Sequence, residues 1–261
     1  GDDIFVFTDV DIPAPLSQIA DYSGVLNFKK FGAKGDGRDD TKAVKSALNE
    51  LQPGGKLLFP NGVYDIYDEL LLNTAGVSII GESKNSTQIV KRFEGGSLLH
   101  YKNAPYWGLS NVMLQGASES SGLGNLLHIE GSSYGRASDS RLLNANGSCI
   151  RIEQGGGITG AYFNVLDGLH TYNGRIGNIY CGLESSETKI IGGEHSASKG
   201  FGWVIEGGNG HNGIGASFEG SNVGGVSVGT SLIASEVNLF GCRFEGAGKS
   251  LYGVQVANVN S

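Results

Sequence analysis

Three segments decide the fold: KIIGGEHSASKGFGWVIEG at 189–207, GIGASFEGSNVGGVSVG at 213–229 and VNLFGCRFEGAGKSLYGVQV at 237–256. Each reads as a strand ending in glutamate, a turn of Gly, Ser, Ala or Asn, and a second strand such as Trp203-Val204-Ile205. Their glutamates, Glu194, Glu219 and Glu245, recur at intervals of 25 and 26 residues. Upstream, Leu126-Leu127-His128-Ile129-Glu130 and Cys149-Ile150-Arg151-Ile152-Glu153 match at a spacing of 23. Strand-turn units of this length, with no helices between them, fit the coils of a right-handed parallel β-helix, an all-β solenoid. Leucine-rich repeats follow a different spacing signature, and propeller blades run to about 40 residues.

Composition agrees. Glycine supplies 44 of the 261 residues, and glycine permits the tight corners where a coil changes direction. The five prolines all lie at or before position 105, as expected if every later coil needs its amides for the ladder. There is no Gly-X-Y period, which excludes collagen. Recurring Val/Ile/Leu/Phe runs within a 39% hydrophobic chain argue against disorder. No run approaches the ~20 apolar residues of a membrane span, so membrane insertion is not expected. The net charge of −7 argues against a general nucleic-acid binder. Cys149, Cys181 and Cys242 form no CxxC pair and are odd in number, so they read as small buried hydrophobes rather than a disulfide or zinc framework.

The chain divides into three parts. Residues 1–24 contain Pro-Ala-Pro and no sustained periodicity, and read as a neck or leader. Residues 25–55 hold a short strand, VLNFKK, a glycine-rich turn, FGAKGDGRDDT, and one helix. That helix, over 41–51, places Ala43, Val44, Ala47, Leu48 and Leu51 on one face; Asp39, Asp40 or Thr41 caps it and Pro53-Gly54-Gly55 ends it. Residues 56–261 form the solenoid. An open end rung exposes unpaired amides and carbonyls, so a helix just before the first coil serves as its cap. LYGVQVANVNS stops directly after a strand, which reads as a truncated or otherwise covered C-terminal end.

The stretch VLNFKKFGAKGDGRDDTKAVKSAL, followed by GGKLLFPNGVYDI, resembles the start of the pectate-lyase-like parallel β-helix proteins over residues 26–66. With the ADYSG that precedes it, the arrangement is most similar to bacteriophage tailspikes, in which a neck leads into a β-helix. The resemblance implies a virion protein attached to the tail or baseplate through its N-terminus and acting outside the cell. It also implies a homotrimer that recognises and depolymerises a bacterial capsule or O-antigen polysaccharide. The motif itself marks the cap and first coil, and carries no chemistry.

Chemical candidates are weighed residue by residue. GGGITG at 155–160 satisfies GxGxxG, but AYFNVLDG follows where a helix is required, so no dinucleotide is expected. Asp36, Asp39 and Asp40 lack the spacing of a calcium loop, and His195 and His211 lack that of a metal site. No cofactor is expected. Glu194, Glu219 and Glu245, if equivalent on successive coils, stack about 4.8 Å apart, near the ~5–5.5 Å of a retaining carboxyl pair. They are the first choice for a hydrolytic site, with the working surface expected on the lateral face of coils 160–250; Asp167, Glu184 and Glu187 are the other acidic candidates. His170, Tyr172 and Arg175, in the irregular GLHTYNGRIGN, suit a lyase that neutralises a uronate carboxylate. Trp107, Trp203 and the tyrosines either pack or stack on sugar rings. A non-catalytic adhesive β-helix and a cellular pectin-degrading enzyme are the alternatives.

Overall fold

The computed structural model describes residues 24–116, 124–156, 159–229, 234–246 and 252–256; the neck expected at 1–24 lies outside these except for Gly24. Among the described residues twenty-six strands form three sheets. Sheet A runs in nine strands from Val25–Asn27 to Ala234–Phe240, sheet B in nine from Asp36–Asp39 to Arg243–Glu245, and sheet C in eight from Leu70–Leu72 to Tyr252–Val256. From the second coil on, each sheet takes every third strand, and neighbours pair in parallel. The molecule is a parallel β-helix, as the repeats predict.

The helix spans Thr41–Glu50 and is the single α-helix among the described residues. It follows the first strands of sheets A and B and occupies the place a sheet C strand takes in every later coil. Val44 and Ala47 enter the core beside Phe28. The capping expectation resolves onto Asp39, whose Oδ1 accepts from the Thr41 amide at 2.9 Å. Asp40 instead accepts from the Lys34 and Gly35 amides at 2.8 and 2.9 Å, and so ties down the GAKGDG turn. Part of that turn, Asp36–Asp39, is in fact the first strand of sheet B, paired with Gly62–Ile66.

Sheets A and B meet at two-residue corners. In six successive coils the first corner residue is left-handed: Asn111, Asp139, Gly168, Gly192, Gly215 and Gly241, with φ between 46° and 63°. Inside, most strands contribute apolar residues in register, so the core is a stack of rungs. The inward column of sheet B reads Tyr64, Ile89, Leu114, Leu142, Thr171, His195, Phe218 and Phe244. Cys149 and Cys181 are buried, whereas Cys242 is only partly so, a correction to the reading of all three as core.

His195 is a polar member of that column. Its Nδ1 lies 2.8 Å from Thr171 Oγ1, and its Nε2 is buried without a partner among the described residues. Burial, aided by the neighbouring His170, pushes its pKa down to about 3. His170 in turn faces Glu194, at 3.8 Å. A histidine depressed in the folded state binds fewer protons there than in the unfolded chain. Its contribution to stability is therefore whole above the unfolded value of 6.5 and is lost as pH falls from there towards about 3. Between pH 6 and 4 wild type should lose roughly 1.4 kcal/mol per pH unit more than His195→Phe, a variant whose ring continues the Phe218–Phe244 stack. Urea unfolding across that range measures the difference; equal slopes would refute it.

Candidate functional site

The four carboxylates predicted from sequence lie on both sides of the A–B corner. Asp167 ends a sheet A strand, where it pairs with Arg136. Glu194, Glu219 and Glu245 are all in sheet B, but they do not form one column. Glu219 is in register with Glu245, whereas Glu194 is in register with Ser217, and Ser196 takes the place opposite Glu219. The inward residue sets the register: His195, Phe218 and Phe244 align, so Glu194 sits before its inward residue and the other two after theirs. The expected three-rung acidic stripe is thus a two-rung pair. Arg243 binds both members, reaching Glu219 at 3.5 Å and Glu245 more closely, while Ser217 Oγ donates to Glu219 at 2.5 Å. His170 meets Glu194, but no contact joins His170, Tyr172 and Arg175 to one another among the described residues. Trp107 and Trp203 are buried, so their faces are closed to sugars.

The most developed polar assembly is on the outer face of sheet C. His100, His128, Arg151 and Tyr180 align on four successive strands, and beside them Lys102, Glu130 and Glu153 form a second column. His100 bridges two carboxylates, with Nδ1 3.0 Å from Glu69 and Nε2 2.8 Å from Glu130. Its ring stacks on that of His128, centroids 4.3 Å apart and planes 14° from parallel. His128 Nε2 is 3.0 Å from Glu153, which also accepts two hydrogen bonds from Arg151 at 2.7 and 2.6 Å. Arg151 lies over the Tyr180 ring, and the Tyr180 hydroxyl donates to Glu206 at 2.5 Å. Lys102 completes the network on Glu130 at 3.1 Å. From Glu69 to Glu206 the chain of contacts crosses six consecutive coils, roughly 24 Å at the ~4.8 Å strand spacing.

The electrostatics follow from this pairing. Burial alone would raise the carboxyl of Glu153, but hydrogen bonds from His128 and Arg151 outweigh it and bring the pKa down to about 2. Glu130 is also held below the usual carboxylate range: Lys102 and His100 overcome its burial. Glu69 is lowered chiefly by the bond from His100. Tyr180 is raised, first by burial and then by donating to Glu206. An ionised carboxylate only accepts hydrogen bonds, so the face carries fixed anions each saturated by a cation or imidazole. Glu130 and Glu153 are register partners on adjacent strands, so the spacing argument made for the sheet B glutamates applies to them.

His100, His128 and Glu130 bring one donor atom each within 4.8 Å of one another. Near-parallel stacked imidazoles aim their lone pairs side by side, however, and both histidines already meet carboxylates. The set fits a hydrogen-bonded relay better than a tetrahedral metal centre.

This face was legible in part. SLLHYK at 97–102, NLLHIE at 125–130 and SCIRIE at 148–153 alternate inward apolar with outward charged residues, and the 23-residue match of the last two is their true register. The first lies 28 residues before the second, outside the 23–26 period that the sequence offered.

Residues 25–124 match the family described as rhamnogalacturonase A/epimerase, pectate lyase-like, which bears out the resemblance seen at 26–66. No curated protein matches the chain. The fold is similar to that of tailspike protein gp49 from Acinetobacter baumannii bacteriophage Fri1, a capsular polysaccharide depolymerase, with TM-score 0.60 and 14% identity over 92% of this chain and 49% of that one. It is also similar to the bacteriophage phi29 gene product 12 N-terminal fragment, with TM-score 0.59 and 16% identity over 82% of this chain and 43% of the other. PfbA, a surface adhesin of Streptococcus pneumoniae, gives TM-score 0.53 and 14% identity over 88% of this chain and 76% of that one. The chain spans about half the length of the two phage proteins. At such identities the likeness establishes the fold. No helix among the described residues is long and apolar enough to cross a membrane.

Proposed function

We propose that this chain is the β-helical part of a phage tailspike that binds a bacterial capsule or O-antigen polysaccharide and depolymerises it by glycosidic hydrolysis. The observation that carries the reading is the sheet C face, a lateral, charged and hydrogen-bonded strip long enough to hold several sugar residues. Glu153, held ionised by Arg151 and His128, is the carboxylate that faces the developing positive charge at the sugar carbon. The His100 ring, held at its two nitrogens by Glu69 and Glu130, is the group placed to hand a proton to the leaving oxygen. Glu130 and Glu153 lie on adjacent rungs, about 4.8 Å apart at the backbone, so the imidazole and the carboxylate nucleophile flank one glycosidic bond. Glu219 and Glu245 are the second candidate pair on the same spacing argument, with Glu194 and Asp167 on the flanks of that face.

β-Elimination on a uronate polymer is the alternative, favoured by the grouping of His128, Arg151 and Tyr180: a base, a cation for the sugar carboxylate and a phenolic proton donor. The test is incubation with purified bacterial polysaccharides. Release of reducing ends without ultraviolet absorbance is expected; an unsaturated, absorbing product would transfer the reading to elimination, and no product at all would leave an adhesive module. Attachment to a virion through the N-terminus and assembly as a homotrimer belong to the same proposal. Sedimentation of the intact protein is expected to give three times the chain mass, and a stable monomer would overturn the trimer.

A further inference from the structure

The corner that carries the chain from sheet C to sheet A has a feature the reading above does not use. One position in it, two residues before the sheet A register residue, is left-handed on every described coil: Gly54, Gly76, Tyr106, Tyr134, Phe163, Glu187, Gly210 and Glu236. The same rung hydrogen bond recurs along it, for example from the Tyr106 amide to Ser133 O at 2.8 Å and from the Tyr134 amide to Tyr162 O at 2.9 Å. Glycine meets this backbone demand without strain, and a bulky side chain there is a conformational outlier. Three successive coils nevertheless carry aromatic rings, with φ of 62°, 59° and 56°.

These rings are not core. Tyr106, Tyr134 and Phe163 are 64%, 54% and 42% exposed. They stack on one another, with centroids 5.5 and 5.2 Å apart and planes 19° and 8° from parallel. Beyond Tyr106 the column continues as Gly76, which offers no side chain to extend the stack. The Tyr106 and Tyr134 hydroxyls have no protein partner among the described residues. Strain borne by rings left this exposed points to a ligand. The row also runs along the edge of the sheet C face: Tyr106 and Tyr134 each follow a member of the Lys102–Glu130 column by four residues.

We infer that Tyr106, Tyr134 and Phe163 form a glycan-stacking row that seats a neutral stretch of the polysaccharide beside the cleavage strip. Aromatic faces take up the C–H faces of pyranose rings, and a sugar over Gly76 would extend the stack by one ring while the two phenols bond its hydroxyls. Glu187, next in the column, and Glu184, which accepts from the Tyr162 hydroxyl at 3.0 Å, disfavour a uronate at this place. The inference rests on the proposal that the substrate is a polysaccharide, and not on where or how it is cut.

The test is an array of immobilised capsular and O-antigen polysaccharides probed with the intact protein and with Tyr106→Asn and Tyr134→Asn. Asparagine accepts left-handed φ, so both variants should keep or raise the thermal midpoint while binding at least tenfold more weakly. Tyr106→Phe, which keeps the ring, should bind within a few-fold of wild type. In parallel, the wild-type protein is nitrated with tetranitromethane and mapped by mass spectrometry; bound polysaccharide should slow modification of Tyr106 and Tyr134, a readout independent of how any variant folds. Unchanged binding in both asparagine variants, equal nitration with and without polysaccharide, or an intact protein that binds nothing on the array would overturn the row. So would dissociation of the asparagine variants in sedimentation, which would make the row a contact between copies. Cleavage is read separately, as kcat at saturating polysaccharide: tyrosine variants that keep kcat leave the cleavage reading standing, and an inactive Glu153→Gln that still binds leaves the row standing.

Discussion

Glu153→Gln is expected to lower polysaccharide depolymerisation by about 10²–10⁴-fold, the range for removing a group that acts in proton transfer or charge stabilisation. Glutamine keeps the size of the side chain and one acceptor for Arg151, so the fold should survive at a lower thermal midpoint, because Arg151 and His128 lose their anion; a single cooperative transition above the assay temperature would confirm it. What it removes is the fixed negative charge that His128 and Arg151 hold so far below the usual carboxylate range. Glu130→Gln should fall in the same range, because it breaks the His100 bridge between Glu69 and Glu130. Glu194→Gln, Glu219→Gln and Glu245→Gln should stay within a few-fold of wild type. The reverse pattern, with the sheet B variants inactive and the sheet C variants intact, would move the site to the face first expected from the sequence.

Trp203→Ala is expected to cost about 3–5 kcal/mol, the range for emptying a buried Trp or Phe site. Trp203 is fully buried inside the solenoid. It lies parallel to Phe218 at 6.3 Å, meets His211 edge-on at 6.1 Å, and its indole nitrogen donates to Cys181 Sγ at 3.4 Å. Flanking coils are held in ladder register on both sides and cannot close on the void. Because each coil touches chiefly its neighbours, the loss should be local. Hydrogen exchange should accelerate across 177–228, while the amides of the first coils, from 56 to 114, stay protected. A uniform rise along the whole chain would instead show that the solenoid unfolds as one unit.

The repeat at 189–256 and the capping motif at 26–66 were enough to define the architecture, because a coil is a local unit. Its strand, turn and next strand are contiguous, and glycine and proline usage mark where the backbone must bend or pair. The cap was equally plain: Val44 and Ala47 fall on one helical face, and the helix stands where a sheet C strand would otherwise be. The outer columns were a different matter. Which residues share a column depends on the number of residues in each corner, and the register step is 30 from Ser78 to Gly108, 28 from Gly108 to Arg136 and 23 from Lys189 to Asn212. Loops absorb such differences at little free-energy cost, so nothing in the spacing betrays them. That is why Glu194 falls outside the stripe, and why the spacing does not reveal His100 and Lys102 as neighbours of Glu130. The repeats and the capping motif alone specify a capped parallel β-helix with an apolar stacked interior. Which charges meet on sheet C and which rings meet at its edge emerges in the folded coils, because the ladder that aligns them joins residues whose separation the corners alone set.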